Sequence, residues 1–390
     1  MLAAIAGSVA ISFQILLPVV PVLVERRGPS GSAGAATAAL FLGAVIGELC
    51  SPWLMTRWSS TRLLIAGQLV SALPSLVYAA AEPGSVVMLA AAAMRGLGFG
   101  VSITVAVALV AKLSPAHRRG RSIGYFGLAL SLPGIAMPSV GVFLLDQGLV
   151  GADAVIACAA GLAGAALATR LPADATARVT GAGNLLEAVR QPGVLVLFLG
   201  FVLMSCSFGG IFTYTPIALP ADGLGSAAIF LFVAGAWRAL GRWLAGVLGD
   251  HRPARLVLGS GVAISLAGLA VLALGGRHPV AVLFAASAYG IGYGGTQTAV
   301  YLVMSSGRGG SNWGAISALW NSAVDLGSSL GGVVVGLSAA RLGYGGAVWV
   351  LPVVVLLAVP LFWWRGGGAQ APIGEPEPSG YADSATGSTG

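Results

Sequence analysis

Four ionisable residues lie deep inside long apolar stretches of this sequence: Glu48, Arg95, Arg238 and Asp325. A charge at the centre of a bilayer costs about 2.5–3.5 kcal/mol even on lenient scales, so such a residue normally faces a partner or a cavity. A carboxyl group in a medium of low dielectric constant can exchange a proton near neutral pH. We therefore expect Glu48 or Asp325 to carry a coupling proton, with Arg95 tuning an acid by its nearby positive charge and Arg238 belonging to the same proton-coupling set. Structural ion pairs or helix-capping contacts are the alternative.

The composition requires a membrane around these residues. The chain has 390 residues, of which 8% are charged and 57% are hydrophobic, and its mean hydropathy is +0.90. An ordinary soluble domain has roughly 25% charged residues. So few charges exclude a soluble globular enzyme, a disordered chain and a secreted disulfide scaffold, and they predict a polytopic α-helical membrane protein.

Twelve apolar stretches approach the roughly 20 residues that a helix needs to cross a bilayer. We number them spans 1–12, and they cover residues 2–24, 35–56, 62–80, 86–110, 121–145, 149–170, 193–216, 226–247, 256–275, 279–303, 313–338 and 344–364. Most basic residues, counting Arg242 among them, fall on the side of the N-terminus, so the positive-inside rule predicts that both termini are cytoplasmic.

The spans divide into two halves. We expect an N-terminal half over 1–170, a cytoplasmic linker over 171–192, a C-terminal half over 193–365 and a disordered tail over 366–390. The linker mixes charged and apolar residues in a pattern typical of a short amphipathic helix on the membrane surface. The tail is rich in Gly, Ser, Pro and Ala, which is typical of disorder.

The halves are related by an internal repeat. A shift of 194 residues places 95–100 on 289–294, and 52–57 on 246–251. The same shift relates spans 5 and 11. Repeats of this kind predict two six-helix halves around a pseudo-two-fold axis, enclosing a site at the middle of the membrane.

Four short motifs carry a family resemblance. Span 1 contains Pro-Val-Val-Pro at 18–21, and 52–59 keeps a leucine and an arginine of a loop motif whose second copy begins at 246. Span 4 has Arg95 with the motif glycines at 98 and 100, and span 5 has a glycine–proline motif at Gly134, Pro138 and Gly141. On these motifs the chain resembles the major facilitator superfamily, and within it the twelve-span drug:proton antiporters. The resemblance implies a monomer that works by alternating access.

The loops between spans 2 and 3 and between spans 8 and 9 are candidate gates. Asp250 lies beside Arg252 and Arg255, and the first loop contains Arg57 and Arg62. An acid and arginines at a helix end can form a latch that exists in only one state of a two-state equilibrium. The alternative is a basic loop that only sets topology.

Polar and aromatic residues inside the spans are candidates for the lining of a substrate cavity. They are Gln14, Tyr214, Tyr293, Gln297, Trp320 and Asn321. Aromatic rings with a few hydrogen-bonding groups suit an amphipathic or cationic organic ligand. Packing and interfacial anchoring are the alternative for each aromatic residue.

Other chemistry has no signature in the sequence. The chain has no G-x-x-x-x-G-K-[ST] motif, so we do not expect ATP as the energy source. The three histidines and three cysteines lack the spacing of a metal site or catalytic set. We expect no cofactor, no metal and no nucleic-acid partner, because no basic patch is interleaved with aromatic residues.

The sequence therefore favours a secondary active transporter, not an enzyme, that exports a small organic molecule such as a drug or secondary metabolite in exchange for protons. The alternative is a proton-coupled uptake symporter of the same fold for a sugar, organic acid or metallophore-like solute. A membrane enzyme or sensor would need a catalytic cluster or a soluble domain. The expected partners are the substrate, protons and the lipid bilayer, and the expected location is the inner membrane of a bacterium.

Overall fold

The computed structural model describes residues 1–80, 84–113, 119–171, 190–275, 278–305 and 313–363. Within these ranges every regular element is a helix. The predicted tail lies outside the described residues, and so does the predicted linker from 172 to 189.

The N-terminal half contains the helices of spans 1–6. Their bounds are Leu2–Leu16 and Val19–Glu25 for span 1, Ala33–Arg57 for span 2, Ser60–Ala72 with the 3₁₀ helix Leu73–Ala79 for span 3, Ser85–Leu113 for span 4, Arg119–Asp146 for span 5 and Val150–Ala168 for span 6. Span 1 divides at Pro18, because a proline has no N–H to donate to the carbonyl of Gln14.

The C-terminal half contains the helices of spans 7–12. Their bounds are Pro192–Ala218, Ala227–His251, Ala254–Gly275, Pro279–Ser305, Trp313–Ala347 and Val350–Trp363. The predicted boundary between spans 11 and 12 is wrong. The helix of span 11 does not end at 338 but continues to a kink at Gly343, whose φ of 68° is left-handed. Glycine adopts this conformation without steric cost. The chain can therefore turn at Gly343, several residues after the predicted end of span 11.

Within the described residues, ten helices are long and apolar enough to cross a membrane. Span 12 is apolar but has only 14 described residues. Span 10 is long enough, with 27 residues, but it is not among the ten. Glycines, tyrosines and a glutamine lower the hydropathy of its centre.

Helix packing repeats between the halves. Span 4 packs against spans 2 and 3, and span 1 packs against spans 5 and 6; spans 10 and 7 make the corresponding contacts in the second half. The halves meet mainly along two seams, one between spans 2 and 11 and the other between spans 5 and 8. Because the repeat equates span 2 with 8 and span 5 with 11, the seams are themselves equivalent, which confirms two halves with pseudo-two-fold symmetry.

Glycines at the helix crossings confirm the shift of 194 residues. A Cβ at Gly47 would collide with the carbonyl of Leu97, and a Cβ at Gly241 would collide with that of Ile291. Each residue of the second pair lies 194 positions after its counterpart. Equivalent crossings occur at Gly67 and Gly261, Gly96 and Gly290, Gly98 and Gly292, and Gly100 and Gly294. These glycines let the helix backbones approach closely, as small residues do in membrane bundles.

Candidate functional site

The helix bundle has two ends, named here by the connections they carry. The 1–2 end holds the connection between spans 1 and 2, residues 26–32, and the 2–3 end holds residues 58–59. Even-numbered spans run from the 1–2 end to the 2–3 end, and odd-numbered spans run back. Depth in the bundle can therefore be compared between spans.

The two halves are packed tightly at the 1–2 end. Gly31 and Gly34 face Gly332 and Gly336 of span 11 so closely that a Cβ at any of them would collide with atoms of the other half. Such contacts leave no room for a passage between spans 2 and 11 at this end.

Hydrogen bonds between polar side chains reinforce this closure. The hydroxyls of Thr37 and Thr213 are 2.7 Å apart, and Ser329 donates to the carbonyl of Ala38 at 3.1 Å. Among the described residues, Glu48 is the residue of span 2 farthest from the 1–2 end that has a hydrogen bond to the second half. The described conformation is thus closed from the 1–2 end to that depth.

Glu48 and Asp325, which the sequence suggested separately, come together on the seam between spans 2 and 11. Ser322 donates a hydrogen bond to Oε2 of Glu48 at 3.1 Å. Asp325 follows one turn later on span 11, so it lies on the same side of that helix as Ser322, and it is 8% exposed. Each half therefore supplies one carboxyl group to the same part of this seam.

Two arginines of span 8 occupy the other seam. Arg238 holds its guanidinium over the ring of Phe208, 5.0 Å from the centroid. Arg242 lies one turn later, 5.8 Å over the ring of Trp320, and donates to the hydroxyl of Ser131 at 3.5 Å. The sequence interpretation counted Arg242 as a topology signal outside the membrane; the structure places it inside span 8, where its side chain packs against spans 5 and 11.

The repeat relates the acidic contact to the basic one. Glu48 and Arg242 occupy equivalent positions, 194 residues apart, and so do Ser131 and Asp325. The equivalent positions of the two seams therefore hold two carboxyl groups on one seam and an arginine with a serine on the other. The pseudo-symmetric halves meet with opposite charge on their two seams.

Gly134 lies where spans 1, 5 and 8 meet. A Cβ on this glycine would be 2.8 Å from Nη2 of Arg238 and 3.7 Å from Nε2 of Gln14. The buried Oε1 of Gln14 has no hydrogen-bond partner among the described residues. Gly134 thus leaves space for two polar side chains at the centre of the bundle.

The other two residues of the span 5 motif affect the backbone of the helix and its packing. Pro138 lies within the helix of span 5, and Gly141 lies against the carbonyl of Ile15 in span 1. These two residues therefore affect how span 5 packs on span 1, within the first half.

Arg95 has a different environment from the one expected. It is fully buried, and its Nη2 donates to the carbonyl of Ser12 at 2.6 Å and more weakly to that of Phe13 at 3.5 Å. Its guanidinium lies 5.9 Å from the ring centroid of Tyr78. Among the described residues its contacts are carbonyls and a ring, and they hold span 4 against the middle of span 1.

The aromatic cavity candidates form a stack beside the arginines. Tyr293 is fully buried, lies parallel to Phe208 at a centroid distance of 5.2 Å, and donates to Ser205 at 3.2 Å. Trp320 packs on Phe201 at 5.8 Å. These rings form an apolar wall next to the guanidinium groups.

The remaining candidates divide between this wall and local packing. The Gln297 carbonyl accepts a hydrogen bond from the Trp320 indole at 2.8 Å, and its side-chain Oε1 has no partner among the described residues. Asn321 donates back to Ser317 on its own helix at 3.1 Å. Tyr214 is buried. Of these, Gln297 is the one with unused hydrogen-bonding capacity beside the wall.

The first candidate gate shows local contacts. Arg57 stacks on the ring of Trp53, 4.4 Å from the centroid. The backbone N–H of Arg62 donates to the Ser59 hydroxyl at 3.4 Å, which caps the start of span 3. These contacts lie within one half of the molecule.

The second candidate gate remains a prediction. Arg252 follows the last residue of the span 8 helix, and Nε of Arg255 has no hydrogen-bond partner among the described residues. The side chain of Asp250 lies outside the described part of the structure.

Sequence reasoning missed Ser322, Phe208 and the role of Arg242. Applying the repeat shift to Glu48 would have identified Arg242, but a serine and a phenylalanine in apolar helices carry no distinguishing signal. Among the described residues, no group of three or more His, Cys, Asp or Glu side chains could hold a metal.

The comparisons with known proteins fit this architecture. The family model of the Major Facilitator Superfamily matches residues 2–331. The chain belongs to the major facilitator superfamily. It is accordingly a multi-pass membrane protein of twelve spans, with the fold of secondary transporters.

Solved structures of this superfamily share the fold at low sequence identity. A bacterial homologue of the human lysosomal transporter Spinster, inward-facing and occupied, is 14% identical, covers 93% of this chain and 94% of its own, and gives a TM-score of 0.74. Its unoccupied form gives 0.72 at 15% identity with the same coverage. The nucleoside transporter NupG is 13% identical over 93% of this chain and 98% of its own, with a TM-score of 0.72. No curated protein sequence matches the chain.

Proposed function

We propose that this superfamily member exports a small organic molecule, such as a drug or secondary metabolite, in exchange for protons. The observation that carries this proposal is the hydrogen bond from Ser322 to Glu48, which places Glu48 across the seam between spans 2 and 11 from the part of span 11 that holds Asp325, one turn after Ser322. Alternating access moves one half against the other. Carboxyl groups on opposite sides of that seam change their separation during the movement.

The proton coupling follows from like-charge repulsion. Two carboxylates held together inside a membrane repel each other strongly, and one proton bound to the pair removes the repulsion. The conformation closed at the 1–2 end brings Glu48 and Asp325 together, so a bound proton stabilises it. Loss of that proton restores the repulsion and favours the movement that separates the two carboxyl groups. Proton binding thereby biases a two-state equilibrium.

The substrate would bind between the seams. Arg238 and Arg242 project from span 8 toward the rings of Phe208 and Trp320, and Gln14 contributes an unused amide oxygen from span 1. The site draws on both halves, as alternating access requires. The arginines and acids would then lie on opposite sides of one central site.

Export is supported by the resemblance of spans 1 and 5 to the drug:proton antiporters. The alternative is a proton-coupled uptake symporter for a sugar, an organic acid or a metallophore-like solute. One observation favours the organic acid in that set, because two guanidinium groups lie in the central region. The solved relatives transport their own substrates and do not identify this one.

The orientation belongs to the same proposal. If both termini are cytoplasmic, in the inner membrane of a bacterium, the 1–2 end faces outside and the described conformation is inward-facing. The protein would act as a monomer, with the substrate, protons and the bilayer as its partners and without a nucleic acid or cofactor.

Everted membrane vesicles test the direction and the coupling together. Respiration acidifies the vesicle lumen, and a pH-sensitive dye then reports proton efflux when a candidate drug or organic anion is added outside. We expect antiport to dissipate the pH gradient on addition of a substrate. A symporter would not respond in this way, because its substrate would have to leave the lumen together with the proton.

Matched variants assign the coupling site. Glu48→Gln and Asp325→Asn should abolish the substrate-induced dye signal. Asp222→Asn makes the same chemical change at an exposed position in the connection between spans 7 and 8 and should leave the signal intact. An unchanged signal in both seam variants would remove the acid pair from the mechanism, and a gradient that no compound dissipates would contradict antiport.

A further inference from the structure

Arg238 and Arg242 form an unusual pair because they carry like charge in the middle of a membrane protein. They are one turn apart on span 8, so their side chains project from the same face of the helix. Their charges are close enough to repel each other. Both side chains are half-buried, so bulk water screens this repulsion only in part.

Among the described residues, the contacts given for the two guanidinium groups are with aromatic rings and a hydroxyl. Arg238 lies over Phe208 and Arg242 lies over Trp320, with the Ser131 hydroxyl as the polar partner among the described residues. A ring face attracts a cation more weakly than a carboxylate does. Placing two such groups side by side is costly unless an anion joins them.

The nearest acids of the mechanism do not fill this role in the described conformation. Glu48 and Asp325 lie on the seam between spans 2 and 11, and the hydrogen bond shown for Glu48 comes from Ser322. The arginines project onto spans 5, 7 and 11 from the other seam. Among the described residues, the contacts given for these two guanidinium groups thus include no carboxylate.

We infer that the transported molecule is an organic anion, whose carboxylate, sulfonate or phosphate group is bound by Arg238 and Arg242 and whose planar apolar part packs on Trp320 and Phe208. The inference rests on the proposed transport function and names the substrate class of that central site. The guanidinium group presents paired N–H donors that match an oxyanion, and a ring wall accepts a flat apolar body.

Two further features of the site support this assignment. Gly134 lets Nη2 of Arg238 lie close to the backbone of span 5, because a Cβ there would be only 2.8 Å from that nitrogen. The amide oxygens of Gln14 and Gln297 have no hydrogen-bond partner among the described residues. A hydroxyl or amide group on the substrate could donate to either oxygen, whereas a cationic substrate would be repelled by the arginines.

The experiment uses the purified full-length protein in detergent and three probes of the same shape. Naphthalene-2-sulfonate is the anion, naphthalene-2-sulfonamide is the neutral analogue, and 2-naphthyl-trimethylammonium is the cation. Affinity is measured by calorimetric titration at neutral pH and by the ligand-induced rise in melting temperature. We expect the sulfonate to bind at least about tenfold more tightly than either of the other two.

Charge-removing variants show whether the preference comes from the arginines. Arg238→Gln and Arg242→Gln should each weaken sulfonate binding about tenfold or more and leave sulfonamide binding unchanged, whereas the lysine variants should retain part of the preference. In anion-free buffer the two glutamine variants should melt at a higher temperature than the parent, because each removes one of two repelling charges. Arg95→Gln, whose guanidinium donates to Ser12, should instead lower the melting temperature.

Several outcomes would overturn the inference. They are equal or tighter binding of the cation, no detectable sulfonate binding to the parent protein, and sulfonate binding that survives both glutamine substitutions. None of these measurements involves a proton gradient. A failure here would leave the Glu48–Asp325 coupling intact, and a failure of the vesicle assay in the acid variants would leave anion binding intact.

Discussion

A methyl group added to one glycine of span 8 should test the helix crossing that the repeat predicts. A Cβ at Gly241 would collide with the carbonyl oxygen of Ile291 and come within 2.9 Å of its Cα and carbonyl carbon. These atoms are backbone, so no side-chain rotation can relieve the overlap. Gly246 lies in the same helix, and a Cβ there would meet nothing within 4 Å.

The difference between two alanine variants isolates the packing cost. Replacing glycine by alanine inside a helix stabilises it by about 1 kcal/mol, and both substitutions receive that gain. Inserting a methyl group into a tight contact costs typically about 1–3 kcal/mol. We expect Gly246→Ala to be neutral or stabilising and Gly241→Ala to be less stable than Gly246→Ala by about 1–3 kcal/mol.

The assay is unfolding of the purified protein in detergent, followed by melting temperature and by titration with a denaturing detergent. Gly47→Ala provides an internal replicate, because the repeat equates Gly47 with Gly241 and Leu97 with Ile291. It should be destabilised to a similar extent. Equal stability of the Gly241→Ala and Gly246→Ala variants would refute the close crossing of spans 8 and 10.

Three further predictions concern the seams and span 4. Arg95→Gln should lower the free energy of unfolding by about 1.5–3 kcal/mol, the value of hydrogen bonds from a charged group, without changing the pH dependence of conformation; a changed pH dependence would show that Arg95 acts on an acid after all. Thr37→Val and Thr213→Val should each open the 1–2 end, and a double-mutant cycle should show a coupling of about 1 kcal/mol; independent effects would contradict the hydrogen bond. Gly134→Ala should weaken naphthalene-2-sulfonate binding with little loss of stability, because the side chain it meets is flexible; unchanged affinity would place the anion elsewhere.

The spans and the correspondence between the two halves were largely predictable from the sequence. Apolar runs mark the spans because a membrane-crossing helix must be apolar along its length. The shift of 194 residues, found from the glycines after Arg95, also relates the glycine contacts at Gly47 and Gly241. The boundary after span 11 was not predictable, since Arg341 resembles a loop residue yet lies in a helix that continues to Gly343.

The charged members of the site were largely predictable, but their contacts with one another were not. Glu48 and Asp325 were identifiable as charges inside apolar runs, but their meeting depends on how span 2 packs against span 11. Arg95 was expected to act on an acid, whereas its partner is the backbone carbonyl of Ser12. Every residue has a carbonyl, so such a contact leaves no trace in the sequence. Arg242 lies near the end of its apolar run, where a basic residue resembles a topology signal.

The central claim is that the protonation of Glu48 and Asp325 controls the movement of the two halves. Spin labels at Trp58→Cys and His251→Cys would report it, because both positions are exposed at the 2–3 end, one in each half. Cys50 is exposed and would be replaced by alanine, while the other two cysteines are buried. Pulsed electron resonance then measures the distance between the halves without any substrate.

The direct test is this distance as a function of pH in the parent protein and in the Glu48→Gln/Asp325→Asn double variant. The parent should populate the described conformation at acidic pH and leave it as the pH rises, with the ratio of the two populations changing by up to about tenfold per pH unit for one coupled proton. The double variant should show one distance distribution at every pH. A parent distribution that ignores pH, or a double variant that still responds to it, would contradict the account.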